Sequence, residues 1–330
     1  MLPQAPIYID HQSVITTYYL QNGYLMVPAL FLKYAGVFVD WNVENQSVVL
    51  KRNTMTITLP SGENYAEYYV KDINSWQRDY LPTITTNLPD GTYIPLQYAS
   101  EKLGILLSYN SELSRTYIIT NTPPSSIPRI YYNGNPGKKK VALTFDDGPD
   151  HFYTPQILDI LNYNEVKATF FVVGTQVKFF PEVLQRIVQE GHELGNHSWS
   201  HPELPKLTTS QVIREVQKAE LEIHSITGRR TVLFRPPFGL FTSADLHTVH
   251  DLGYQVIMWS VDTFDWKGIS EEEILSIVRR DVSPGAIVLQ HTLLTTPGRL
   301  DGTVRALPGM IDYLRKSGYK FVTVQNLIGD

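Results

Sequence analysis

"KVALTFDDGPDHFYTPQILDILNYNEVKATFFVVG" (residues 140–174) runs from an apolar segment through a polar turn and an amphipathic segment to a second apolar segment. The outer runs, "KVALTF" and "KATFFVV", are β-branched and aromatic and have the length of strands. They do not alternate with polar residues, as expected of strands buried on both faces in a parallel sheet. "TPQILDILNYN" between them has helical spacing. Asp146 and Asp147 stand side by side where the first run ends, just before Gly148-Pro149. Two readings are open. Asp-Asp-Gly-Pro is good turn chemistry for backbone reasons alone. Alternatively, two carboxylates this close repel, and one must take a proton or a cation.

The same unit recurs towards the C-terminus. "VLFRPP", "YQVIMWS", "AIVLQH" and "YKFVTV" are strand-like runs. "PEVLQRIVQEG", "TTSQVIREVQKAELEIHSITG", "SADLHTVHDLG", "SEEEILSIVRR" and "TVRALPGMIDYLRKSG" are helical patterns. Several begin with Ser or Thr and end with Gly, as helix caps require. This alternation predicts an α/β fold with a parallel sheet. So many units between residues 139 and 330 fit a distorted or incomplete (β/α) barrel better than an open sheet.

Upstream, "NTPPSSIPRIYYNGNPGKK" (121–139) is rich in Pro, Ser, Asn and Gly and cannot sustain a helix or a central strand. We read 123–138 as a linker between a module at 1–122 and a domain at 139–330. The module holds an internal repeat: "NGYLMVPALFLKYAGVFVDWN" (22–42) parallels "DGTYIPLQYASEKLGILLSYN" (90–110). Each copy reads as a turn, a strand ending at Pro, a short helix stopped by Gly, and another strand. A small α+β domain built twice is expected. Its tyrosines, Tyr18, Tyr19, Tyr24, Tyr65, Tyr68, Tyr69, Tyr93 and Tyr98, either stack on sugars or fill half-buried strand faces.

The 330 residues are 42% hydrophobic and 18% charged, so the chain can bury a core. The net charge of -5 and the lack of a basic cluster beyond Lys138-Lys139-Lys140 disfavour nucleic-acid partners. With no cysteine there are no disulfides, thiolate metal sites or cysteine nucleophiles. No apolar run reaches the length of a membrane span. "MLPQAPIYID" lacks the basic and apolar regions of an export signal. The chain is therefore expected to be either cytoplasmic or to begin after a removed signal.

Chemistry in a (β/α) barrel gathers at the carboxyl ends of the strands. There the chain places Asp146-Asp147, Arg235, Asp262, Asp265-Trp266 and His291, with "GNHSWSHPEL" (195–204) after another short run. His197 and His201, four apart, are expected on one face of a helical turn that Asn196 and Ser198 cap and Pro202 ends. Two neutral imidazoles and one carboxylate make the open three-ligand site of a catalytic zinc. The cation removes the repulsion between the aspartates, and the second is left to act as a base on water acidified by the metal.

"TFDDGP", "HSWSH", "RPPF", "DW" and "LQH", in that order, resemble the five motifs of the polysaccharide deacetylases, carbohydrate esterase family 4, over residues 139–328. Residues 8–122 resemble the copper amine oxidase N-terminal-like domain, although its single histidine, His11, supplies no ligand set. The first resemblance implies Asp146 as base, and Asp147, His197 and His201 as ligands of a divalent metal, zinc first and cobalt or another ion next. It implies Arg235 as the anchor of Asp146 and the Phe238 N–H as an oxyanion donor. His291 would be the general acid, oriented and kept charged by Asp265, and Trp266 and Leu289 would pocket the acetyl methyl. Asp262 replaces Asp265 only if the loop is shifted from the family register. Thr292 stands where the family often has an acidic residue.

The expected activity is metal-dependent hydrolysis of N-acetyl groups on a bacterial glycan, peptidoglycan or another N-acetylglucosamine polymer, outside the cell or at its wall, by a monomer. Trp199, Phe238 and Phe241 would line the polymer groove. The alternatives are an O-acetyl esterase acting on xylan, or a non-catalytic glycan-binding wall protein. A cytoplasmic sugar-metabolising barrel would show a Gly-rich phosphate loop, and none is found. His151 and His192 are expected to be structural, and His224, His247 and His250 solvated.

Overall fold

A computed structural model describes residues 2–293 and 298–329. The chain divides into two compact units. The first comprises Met1–Pro128 with Leu204–Val212 and Phe241–Thr248. The second comprises Arg129–Glu203, Ile213–Leu240 and Val249–Asp330.

In the second unit the strands Ile130–Tyr131, Gln255–Ile257, Leu233–Phe234, Glu193–Asn196, Thr169–Val172, Lys140–Asp146, Ala286–His291 and Val261–Asp262 lie side by side in that order. Lys320–Phe321 adds to Lys140–Asp146. Every pairing between these strands is parallel. The sheet curls but does not close, because its end strands, Ile130–Tyr131 and Val261–Asp262, do not pair with each other. It is an incomplete (β/α) barrel. Ile130–Tyr131 falls inside the Pro-rich stretch read as a linker. It serves as an end strand, where the neighbouring Pro128 interrupts no ladder.

Two layers fill the unit. Val141, Leu143 and Phe145 point to the helices, where they pack with Ile157, Leu161, Ala306 and Met310. Ala142 points the other way, towards Phe171, Leu233, Ile257 and Ile287. Strand side chains alternate between faces, so Thr144 and Asp146 share the inward face of Ala142. Leu289 and His291 share the inward face of Ile287. This alternation was invisible in the sequence because both faces of the strand are apolar along most of its length.

The helices form where the periodicity places them: Tyr153–Tyr163, Pro181–Gln189, Thr209–Thr227, Ser243–Asp251, Glu271–Asp281 and Asp301–Lys316. Gly191, Gly228, Gly253 and Gly318, which follow four of them, are left-handed, as the C-terminal glycine signal implies. The starts are less uniform. Ser270 makes a full capping box with Glu273. Tyr153–Tyr163 is instead capped from upstream by Asp150, whose buried carboxylate accepts from the N–H groups of Tyr153 and Thr154.

In the first unit the repeat is real in space. The turn glycine Gly23 precedes Tyr24–Pro28 and Gly91 opens Gly91–Pro95, and these two strands pair antiparallel at the centre of one sheet. Each strand runs into a helical turn, Ala29–Ala35 (3-10) or Leu96–Lys102 (α), stopped by left-handed Gly36 or Gly104. A second sheet joins Leu106–Asn110, Arg115–Ile119, Gln4–Ile9 and Gln12–Thr17. A third is the meander from Phe38–Asn42 to Ser75–Tyr80. The core contains Val27, Leu32, Leu50, Leu59, Ile94 and Ile118. Within this unit the fully buried Lys33 ammonium pairs with Asp245 at 2.7 Å and donates to the carbonyls of Leu204 and Leu207. A groove of about 1170 Å³ in the same unit is lined by Tyr18, Leu20, Tyr24, Leu106 and Tyr109 among others.

Candidate active site

Strand register brings the reactive groups together. Asp146 lies opposite His291 on one side and Phe171 on the other, and Thr144 lies opposite Leu289. Val172 meets Asn196, and Asn196 meets Phe234, the residue before Arg235.

Arg235 is fully buried, its guanidinium 4.0 Å above the Phe171 ring. Nη1 donates to Asp146 Oδ1 at 2.7 Å and to Thr144 Oγ1 at 2.8 Å. Nη2 and Nε donate to the carbonyls of Met258 and Ile257. The Thr144 hydroxyl in turn donates to the Val288 carbonyl. Burial pushes the Arg235 pKa down, and the Asp146 charge opposes that shift. A buried charge is tolerated only when paired and hydrogen-bonded, and here donors and acceptors are matched.

Asp147 sits in the left-handed region at φ 75. A non-glycine residue held there is a strain point of the kind that collects at functional sites. Its Oδ1 lies 3.4 Å from His197 Nε2 and 3.2 Å from His201 Nε2. Among the described residues these three form a group whose donor atoms all lie within 4.8 Å of one another. The His197 Nδ1–H donates to the Arg235 carbonyl at 2.7 Å. With Nδ1 committed to that carbonyl, Nε2 is the ring nitrogen that faces Asp147. Burial, reinforced by the neighbouring His197, pushes His201 down to about 4, so it is neutral at pH 7. Burial works to raise the Asp147 pKa. The His197 hydrogen bond and the charges of His291, His197 and His201 outweigh it and hold the carboxyl low. Two imidazole nitrogens and one carboxylate at this separation fit a divalent cation. Without a cation or a proton, imidazole lone pairs facing a carboxylate would repel it.

The two histidines are not on a helical turn. Residues 197–203 form a loop in which Ser198 (φ 67) and His201 (φ 59) are left-handed, which no α-helix allows. Side-chain hydrogen bonds hold the loop instead. Asn196 accepts from the Ser198 N–H and Ser198 from the His201 N–H. Glu215 accepts from the N–H groups of Trp199 and Ser200. Asn196 and Ser198 do bond to the backbone here, as the sequence suggested.

On the far side, Asp265 Oδ1 accepts from His291 Nδ1 at 2.7 Å, and Oδ2 accepts from the His291 N–H at 2.9 Å. Asp262 turns away to cap the Phe264 N–H, so Asp265 is the carboxylate at the histidine. Burial alone would lower the His291 pKa. Asp265, with smaller help from Asp147 and Asp146, pushes it up to about 9. The sequence reading missed Thr303, whose hydroxyl donates to Asp265 Oδ2 at 2.9 Å from the helix Asp301–Lys316. It also missed Thr144. Neither is visible in sequence, since a lone Thr in an apolar run or helix carries no signal.

Phe238 is left-handed and 60% exposed, with its ring 4.4 Å from that of His201. Leu289 is buried and Trp266 is 40% exposed. The Trp199 ring lies under the Lys218 ammonium. Phe241 belongs to the first unit. His192 is a buried structural histidine whose Nδ1 accepts from the Ala168 N–H.

The polysaccharide deacetylase family pattern matches residues 133–257, and the copper amine oxidase N-terminal domain pattern matches residues 8–119. The chain is 39% identical to a peptidoglycan-N-acetylglucosamine deacetylase of Bacillus cereus over 62% of its own length and 75% of the relative's. It is 32% identical to the Listeria monocytogenes deacetylase PgdA over 79% of itself and 53% of that longer protein. Among solved structures, the Bc1960 peptidoglycan N-acetylglucosamine deacetylase superposes with a TM-score of 0.60 at 38% identity, covering 63% of this chain and 97% of that one. A CE4-family pseudoenzyme from Bacillus anthracis superposes at 0.57 with 33% identity, covering 67% of this chain and 76% of that one. This protein belongs to the polysaccharide deacetylase family, hydrolases of carbon–nitrogen bonds other than peptide bonds. The pseudoenzyme in the same fold means that activity must be argued from the side chains.

Proposed function

We propose that the protein removes N-acetyl groups from an N-acetylglucosamine-containing bacterial glycan, with peptidoglycan the first candidate, outside the cell or at its wall. Catalysis is assigned to residues 139–330 and an accessory role to residues 1–122. The observation that carries this reading is one rim that holds a metal donor triad, an Arg-anchored carboxylate and an Asp-held imidazolium together.

Asp147, His197 and His201 would hold a divalent cation, zinc by preference, which would supply Lewis acidity at the acetyl carbonyl and lower the pKa of a water there. Asp146, fixed by Arg235, takes the proton from the water that adds to the carbonyl carbon. The Phe238 N–H steadies the developing oxyanion. His291 then protonates the nitrogen as the carbon–nitrogen bond breaks, leaving acetate and a free amine. Leu289 and Trp266 hold the acetyl methyl.

The test is acetate release from peptidoglycan, chitooligosaccharides and acetylated xylan, each after chelation and again after zinc or cobalt is restored. Release from N-acetylated polymers that returns with metal is expected. Release from the xylan ester alone would make the protein an O-acetyl esterase. No release from any polymer with metal bound would leave a glycan-binding protein.

A further inference from the structure

The first unit carries an exposed aromatic face. Tyr65–Val70 and Ser75–Tyr80 form a hairpin in which Tyr65 pairs with Tyr80, Glu67 with Arg78, and Tyr69 with Trp76. Ala66 and Tyr68, one residue out of phase, face the core. Alternation therefore sends all six paired side chains to the other face. Trp76 is 50% exposed and Tyr80 is 80% exposed. Ser75–Tyr80 is also an edge strand of its sheet. Trp76 and Tyr80 are separated by about 13 Å along it, from the rise per residue. Arg78 stands between them, 2.7 Å from Glu67, with its guanidinium 4.1 Å above the Tyr65 ring.

We propose that this face binds a neutral stretch of glycan chain, with Trp76 and Tyr80 stacking on sugar rings and Arg78 and Glu67 meeting hydroxyl or acetamido groups. The proposal rests on the deacetylase reading only for the identity of the polymer. Three features favour a sugar. The face is aromatic but not apolar throughout, and a pyranose likewise presents a C–H face edged by hydroxyls. Its charges are one Arg and one Glu already paired, so it offers no field for an anionic polymer. Two half-exposed or largely exposed rings supply a few hundred Å² at most, well below the ~800 Å² per partner of a stable protein interface. The face also sorts the tyrosines: Tyr68 and Tyr93 pack inward, whereas Tyr65 and Tyr69 lie on it.

The test uses the full chain and co-sedimentation with two insoluble probes, chitin and purified peptidoglycan stripped of anionic polymers. Trp76→Ala with Tyr80→Ala is expected to cut retention about tenfold or more. Acetate release from a short soluble acetylated oligosaccharide should stay unchanged. Trp76→Phe, which keeps a ring, should retain most of the binding, and an unchanged melting temperature shows that folding is intact. Equal retention of the double variant and the parent overturns the proposal. So does retention that disappears in high salt, or that depends on residual protein in the probe. Binding without acetate release would sink the deacetylase reading and leave this one standing; release without binding would do the reverse.

Discussion

Thr303 lies behind the Asp265–His291 pair, on the carboxylate that holds the imidazole. Its hydroxyl gives Asp265 Oδ2 a second donor beside the His291 N–H. A hydrogen bond to a charged group contributes about 1.5–3 kcal/mol. Thr303→Val should therefore lower kcat about tenfold, leave KM near its original value, and be rescued by Thr303→Ser. A loss confined to KM would count against this positioning role. Asp265→Asn removes the chief interaction that raises the His291 pKa. The imidazolium then loses its proton at a lower pH, so the alkaline fall in activity should move down the pH scale. If that limb stays in place, His291 is not the acid it reports. The roles given to Phe238, Trp266 and Leu289 came from the family resemblance, whereas Asp146, Asp147, Arg235, Asp265 and His291 were legible in sequence as types at strand ends. Which atom meets which was not, because Arg235 acts twice: its side chain holds Asp146 and its carbonyl sets the His197 tautomer.

At the scale of elements, the loop after the strand Lys140–Asp146 is held by close approach. A Cβ placed on Gly148 would lie 2.2 Å from Thr292 Oγ1, and Thr292 in turn donates to the Asp146 carbonyl. Gly148→Ala should displace the Asp146–Asp147 pair and cost activity tenfold or more, since roughly 1 Å of misplacement is enough for that. Full activity in this variant would show that the loop yields freely. The helices and their glycine stops followed from periodicity and backbone chemistry. The histidine loop did not, because a spacing of four fits a helix until side-chain hydrogen bonds and two left-handed residues replace it.

At the scale of the whole molecule, the metal site and the buried ion pair should both register in stability. A ligand that binds only the folded state stabilises it in proportion to its excess over Kd. Zinc should therefore raise the melting temperature of chelated protein and leave His197→Ala unmoved. A shift of equal size in the variant would place the ion elsewhere. Lys33→Met would strand the Asp245 carboxylate, and breaking a buried pair costs about 3–5 kcal/mol. Denaturant unfolding should show a loss of that order in the first unit, and a loss below ~1 kcal/mol would mean that Asp245, its pKa already raised by burial, takes a proton when its partner is removed. The class of the fold, the duplicated module and the residue types of the site were determined by the chain alone, because periodicity, turn chemistry and motif order are local properties. Only the tertiary structure decided which strand face is the inner one, how Asp146 comes beside His291, and how Lys33 comes to meet Asp245. Those are matters of register and packing between segments up to about two hundred residues apart, and a run that is apolar on both faces does not encode them locally.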